Sequence, residues 1–202
     1  MNRRSRRTRA ALKAAFVELV LSRGYQPIAV TDIIRRANVG RSTFYLHYAG
    51  KEALLSDCLD SPCRGLAAYV AGDPQSAQQV GLLEHFRAQW RLNRVFFEPP
   101  IRTLWVKALA RAIERQLARP KGAWRAPGGA SPGVFCRIVA EMQLAVVTHW
   151  LGSAAPVKAE VIGAMLSAYT QALLQGERRL ALTRQPSTGT GVGVWRGSLD
   201  ES

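Results

Sequence analysis

Acidic residues are scarce in this 202-residue sequence: 14 Asp and Glu stand against 28 Lys and Arg, a formal net charge of +14. The imbalance excludes an acidic, self-solvating chain and points to a polyanionic partner, either nucleic acid or an anionic membrane surface. Cysteine is nearly absent. Cys58, Cys63 and Cys136 are too few and too scattered for a disulfide framework and read as reduced or buried thiols. Cys58 and Cys63 have no nearby His or second Cys pair at zinc spacing, so no metal and no cofactor is expected. No uninterrupted apolar run reaches the ~18 residues of a membrane span. The basic start lacks the apolar centre of a signal peptide, so a cytoplasmic protein without membrane association is expected. Alternating strand patterns and internal repeats are also missing. With 48 % hydrophobic and 21 % charged residues, the composition is that of a folded globular chain.

The positive charge is unevenly placed. Residues 1–51 carry 11 of the basic side chains and two acids, Glu18 and Asp32. The stretch Met1–Arg9 holds five arginines and no apolar anchor beyond Met1, which predicts a flexible basic arm. From Ala10, the residues Leu12, Phe16, Leu19 and Val20 share one face at helical spacing. Gly24 suits the stop of that helix, and Thr31 suits the cap of a second one carrying Ile33, Ile34 and Ala37. Asn38-Val39-Gly40 interrupts, with Asn tolerant of the left-handed region. A short helix from Arg41 to about His47 follows, and Lys51 opens a long helix containing Leu54, Leu55 and Leu59.

Two short helices crossing at a tight turn form a helix-turn-helix unit. Ile33, Ala37, Val39 and Phe44 would be its small core. Arg41, Ser42, Thr43, Tyr45 and His47 would face solvent, offering donors, hydroxyls and a ring that a major groove can use. The string Val39-Gly-Arg-Ser-Thr-Phe-Tyr-Leu-His-Tyr-Ala-Gly-Lys-Glu-Ala-Leu-Leu55 resembles the signature of the TetR (tetracycline repressor) family, with a likeness that covers about residues 5–60. Three positions depart from the usual pattern: Asn38 for a turn glycine, Gly40 for a capping serine, and Tyr48 for a common phenylalanine. The resemblance implies that Arg41, Ser42 and Thr43 begin the groove-facing side of a recognition helix. Tyr45 and His47 would contact phosphate or sugar, and the Tyr48 hydroxyl would reach a phosphate. Lys51 and Thr31 would hold phosphates at helix N-termini. Phe44 reads as core.

The remainder reads as all-helical. Asp73-Pro74 predicts a helix start, and Pro99-Pro100 a break. Apolar helices are predicted at 134–152 and 157–175, and the pattern fades after Gly176. The expected fold is all-α: a helix-turn-helix DNA-binding domain at 1–50, a helical regulatory and dimerisation domain at 51–176, and a disordered tail at 177–202. Gly189-Thr-Gly-Val-Gly193 lacks the strand, Lys and helix of a phosphate loop and reads as linker. Phe86, Trp90, Phe96, Phe97 and Trp105, with Tyr69, are core residues by composition, and their density equally fits a ligand cavity. Arg87, Arg91, Arg94 and Arg102 outnumber Glu84 and Glu98 nearby, which tilts the expected ligand towards neutral or anionic over cationic, amphipathic or aromatic in body. His85 and His149 read as core or pocket-wall groups. No nucleophile–base or paired-carboxylate arrangement supports an enzyme. The resemblance implies a homodimer through the last two helices, bound to a pseudo-palindromic double-stranded operator, blocking transcription and released by a small molecule. A ligand-independent or architectural DNA binder is the alternative.

Overall fold

The computed structural model describes residues 3–71, 77–90, 94–118, 126, 129–154 and 157–182. These residues are all-helical. In chain order, the α-helices are α1 (Arg3–Arg23), α2 (Val30–Ala37), α3 (Arg41–His47), α4 (Lys51–Ala67), α5 (Ala77–Ala88), α6 (Ile101–Leu117), α7 (Pro132–Gly152) and α8 (Ala159–Leu182). Two 3₁₀ turns, Ala68–Ala71 and Arg94–Phe97, join them.

The basic segment is helical from Arg3 and forms the first turns of α1, where a free arm was expected. Arginine is a good helix former, and Arg3, Arg6 and Arg7 stand in water. The Thr8 hydroxyl donates to the Arg4 carbonyl at 3.1 Å and ties the segment into the helix. Gly24 adopts φ +73° at the end of α1, as its position requires. Helix α2 begins one residue earlier than its predicted cap. Ala29 is the N-cap, and the Asp32 carboxylate accepts its backbone N–H at 3.0 Å. Thr31 is therefore an exposed residue of the first turn and no cap. Asn38 closes α2 in the left-handed conformation at φ 52°. Gly40 starts α3 without a side-chain cap.

Helix α4 contains Pro62, which removes the N–H that would otherwise bond the Cys58 carbonyl. The predicted start at Asp73-Pro74 falls outside the described residues. The Ser131 hydroxyl caps α7 by accepting the Val134 N–H at 3.3 Å. Helix α8 continues to Leu182, past the expected fade after Gly176, and the tail beyond it, including Gly189–Gly193, falls outside the described residues.

Helix α6 packs on both α4 and α7, while α1 crosses α2 and α4. One contiguous cluster of buried apolar residues runs from Leu12 through Ile33, Phe44 and Leu55 to Leu109, Leu144 and Leu166. By length and composition α7 is apolar enough to cross a membrane, although Arg137 and Glu141 interrupt it. Half of that stretch is buried inside the molecule, against α6 and α8.

Candidate nucleic-acid interface and ligand cavity

Helix α3 divides into two sides. Phe44 is fully buried and packs its ring 5.4 Å from Tyr45 and 6.0 Å from Tyr48. Arg41, Ser42, Tyr45 and Leu46 are exposed on the other side, with Thr43 and His47 half-buried at its edges. The Arg41 guanidinium lies 5.6 Å from the Tyr45 ring centroid, so the ring steadies the cation without neutralising it. Leu46 is 80 % exposed, the most exposed large apolar side chain described. The sequence reading passed over it because leucine signals core. The signal that would have found it is spacing, since Leu46 falls one helical turn beyond Ser42. An apolar group there suits the methyl of a thymine.

Two residues expected to touch phosphate are engaged inside the protein instead. Tyr48 is buried, and its hydroxyl donates to the Asp57 carboxylate at 2.6 Å and accepts from Arg9 Nε at 3.3 Å. The phenol that follows α3 folds inward because Asp57, six residues into α4 from Lys51, offers an acceptor in a half-buried site. Lys51 points its ammonium at the Tyr25, Gln26 and Ile28 carbonyls, at 3.3, 3.0 and 3.0 Å. It also sits 4.6 Å from the Tyr25 ring centroid. All three of its protons are thus engaged by the loop between α1 and α2.

Asp57 is held by Arg9 Nη2 at 2.7 Å and Lys13 Nζ at 2.9 Å as well as by Tyr48. Burial alone would push its carboxyl up, but hydrogen bonds from Arg9, Tyr48 and Lys13 outweigh that and bring it down to about 2. The Tyr48 hydroxyl is pushed up to about 12 by burial and by its bond to Asp57. This clamp joins α1, the residue ending α3, and α4.

Other cations near α2 are paired. The Asp32 carboxyl is held below its usual range, first by the Ala29 N–H and then by Arg35 and Arg23. Arg36 pairs with Glu18. Arg3, Arg6, Arg7 and Arg41 have no acidic partner among the described residues and stand in solvent. Arginines of the N-terminal quarter that lack an acidic partner among the described residues thus stand on α1 and α3.

The predicted aromatic set does converge. Phe97 stacks on Trp105 at 5.3 Å, and Phe86 meets Phe97 and Trp105 edge-on at 5.7 and 6.1 Å. Beside them lies a partly open cavity of about 370 Å³. Phe86, Phe96, Phe97 and Trp105 line it; Trp90, 5.6 Å from Phe97, backs the wall without lining it. Leu82 and His85 of α5 complete that side. Val17 of α1 and Cys58, Leu59, Ser61 and Pro62 of α4 form the other. The α4 residues were missed because nothing in a helical repeat says which faces stop short of contact. Arg87, Arg94 and Arg102 are not in the wall. Arg87 donates to the Val157 carbonyl at 2.8 Å, Arg94 faces Glu98 at 3.9 Å, and Arg102 pairs with Glu141 at 2.9 Å. These three of the four arginines behind the expected basic tilt are thus turned away from the cavity, and Arg91 falls outside the described residues. A depression of similar size between Glu84, Arg87 and Val157–Glu160 is an open, polar surface feature.

The three thiols are free, and burial pushes them up to about 11, 12 and 11 for Cys58, Cys63 and Cys136. All three stay protonated at neutral pH and make poor nucleophiles. Helices α7 and α8 each bury one side and expose another. Val134 and Ile138 of α7, and Val161 and Tyr169 of α8, are each about half exposed.

Residues 12–58 match the family model described as bacterial regulatory proteins, tetR family. A helix-turn-helix-type transcriptional regulator of Bacillus subtilis, YxbF, is 42 % identical over 71 residues, or 35 % of this chain and 19 % of that protein. The chain thus spans about a fifth of that curated relative's length. Among solved structures, a TetR regulator from Streptococcus agalactiae is 21 % identical with a TM-score of 0.45, covering 83 % of this chain and 96 % of the other. One from Syntrophomonas wolfei is 16 % identical with a TM-score of 0.48, covering 84 % and 95 %.

Proposed function

We propose that the chain is a transcriptional regulator of the TetR family, on the match of residues 12–58 to that family's model, and a homodimeric repressor whose α3 reads a pseudo-palindromic operator. The observation that carries this reading is the two-sided α3. Phe44 anchors it from within, while Arg41, Ser42, Tyr45 and Leu46 are exposed outside, and Arg3, Arg6 and Arg7 of α1 stand in solvent in the same N-terminal quarter. A helix so presented offers base-reading groups on one face, and the exposed arginines of α1 offer phosphate-binding charge. Residues 1–50 act as the DNA-binding head, and 51–176, extended by the rest of α8, as the body.

The half-exposed apolar residues of α7 and α8 support self-association. Val134 and Ile138 are one turn apart on α7, and Val161 and Tyr169 two turns apart on α8. Two copies of this face would close as a four-helix interface with the two-fold symmetry of a palindrome. The cavity supports release by a small molecule. Its wall includes Val17 of α1 and four residues of α4, and α4 lacks a backbone hydrogen bond at Pro62. A ligand there presses on the helix that carries Asp57, which in turn holds α1 and Tyr48. Release requires tighter binding to the DNA-incompetent state than to the competent one.

Selection of bound sequences from random duplex DNA with the full chain tests the proposal. The expected result is an enriched site made of two inverted half-sites about one helical turn apart. Recovery of no preferred sequence would overturn it.

A further inference from the structure

We infer that Tyr48 is a positioning residue for base reading: its hydroxyl, held by the Asp57 carboxylate, sets the tilt of α3 and with it the reach of Arg41, without touching DNA itself. The inference rests on the DNA-reading role of α3 proposed above and deepens it. Helix α3 has seven residues and few anchors. Phe44 is its one buried side chain in the described structure, and Gly40 starts it without a side-chain cap. Apolar burial is non-directional, so the Phe44 ring acts as a pivot and leaves the tilt open. The direction comes from the C-terminal end. Tyr48 caps α3 by donating its backbone N–H to the Phe44 carbonyl at 2.9 Å. Its side chain is buried, and the hydroxyl donates to Asp57 at 2.6 Å. A short bond to a carboxylate is both strong and directional. Asp57 is in turn fixed to α1. Arg9 and Lys13 bond its carboxylate at 2.7 and 2.9 Å, and Lys13 also donates to its backbone carbonyl at 2.8 Å.

Contacts run from this clamp to the exposed start of α3. The Tyr48 ring lies 6.0 Å from Phe44, Phe44 meets Tyr45 edge-on at 5.4 Å, and the Tyr45 ring lies 5.6 Å from the Arg41 guanidinium. A tilt of about 10° about Phe44 moves a guanidinium about 10 Å away by about 2 Å, far more than the ~0.5 Å over which hydrogen-bond lengths range. Bonds to base edges cannot absorb such a shift, whereas attraction to phosphates is electrostatic and independent of sequence. Loss of the hydroxyl therefore costs discrimination and spares non-specific binding.

Tyr48→Phe tests this on the full chain, because it keeps the buried ring and the bonds of Arg9 and Lys13 to Asp57. Fluorescence anisotropy follows the duplex selected by the wild-type chain and a scrambled duplex of equal length, at one salt concentration. Operator affinity is expected to fall at least about fivefold, and affinity for the scrambled duplex to change less than about twofold. In an Arg41→Ala background the same substitution is expected to cost less than about twofold on the operator, because the side chain being positioned is gone. A hydroxyl that only stabilises the fold would lower the urea midpoint and leave the ratio of the two affinities unchanged, and that result overturns the inference. An equal loss on both duplexes, the mark of a phosphate contact, overturns it as well. So does an operator loss that persists in full in the Arg41→Ala background. A wild-type chain that selects no operator overturns the DNA reading and this inference together, whereas a discriminating wild type with an unchanged ratio in Tyr48→Phe overturns this inference alone.

Discussion

Arg41 is the side chain on which base reading is expected to turn, because it is exposed at the first turn of α3 and has no acidic partner among the described residues. Arg41→Ala should relax the selected operator at one base pair per half-site, by about 1–3 kcal/mol if the contact is bidentate to guanine. Leu46→Ala should relax a different position, one occupied by an A·T pair. Phe44→Ala acts by another route. Removing a fully buried ring should cost about 3–5 kcal/mol of stability, seen as a lower unfolding midpoint in urea. Asp57 makes a pH prediction with a defined sign. Its folded pKa of about 2 lies below the unfolded value near 3.9, so the clamp's contribution is present above pH 4 and is lost as pH falls towards 2. Denaturant titrations should show up to about 2 kcal/mol lost across that window, and Asp57→Asn should flatten the pH dependence.

At the scale of elements, the two faces of α8 separate two kinds of failure. Leu166 is fully buried within the protomer, whereas Val161 is half exposed. Leu166→Asp should therefore unfold the chain. Val161→Asp should leave the helix content intact and yield monomers in sedimentation velocity, because a charge would be buried at the proposed two-fold face. A wild-type chain that sediments as a monomer at micromolar concentration would remove the dimer from the proposal. Helix α1 carries its own consequence. Since Arg9 and Lys13 hold Asp57, deleting the whole basic segment would damage the head as well as its charge. The cleaner change is Arg3, Arg6 and Arg7 to alanine, which keeps helix propensity and removes three unpaired charges.

For the whole molecule, charge placement predicts salt-dependent binding. Each phosphate contacted should contribute about −0.9 to the slope of log K against log salt. The triple alanine variant should reduce that slope and weaken all sequences alike, while Arg41→Ala changes which sequence is preferred. An unchanged slope in the triple variant would exclude α1 from phosphate contact. Fluorescence anisotropy at several salt concentrations reads both effects.

Much of this architecture was legible without coordinates. The helical spacing of Leu12, Phe16, Leu19 and Val20, the left-handed Asn38 and the inward Phe44 follow from local rules of backbone and periodicity, and the structure follows them. The motif at 39–55 carried the family resemblance for the same reason, since a tight turn between two short helices restricts which residues fit. What remained hidden depends on contacts between elements distant in sequence. Tyr48 looked outward until Arg9 and Asp57, 39 and 9 residues away, were brought to its hydroxyl. Lys51 looked like a phosphate ligand until three carbonyls of the α1–α2 loop came within reach. Of the four arginines near the aromatic cluster, three turn to partners elsewhere in the described structure, and Arg91 falls outside it. Periodicity records which side of a helix is apolar. Which neighbour that side meets, and whether a long cation finds an oxygen inside the protein, is decided only when the helices pack.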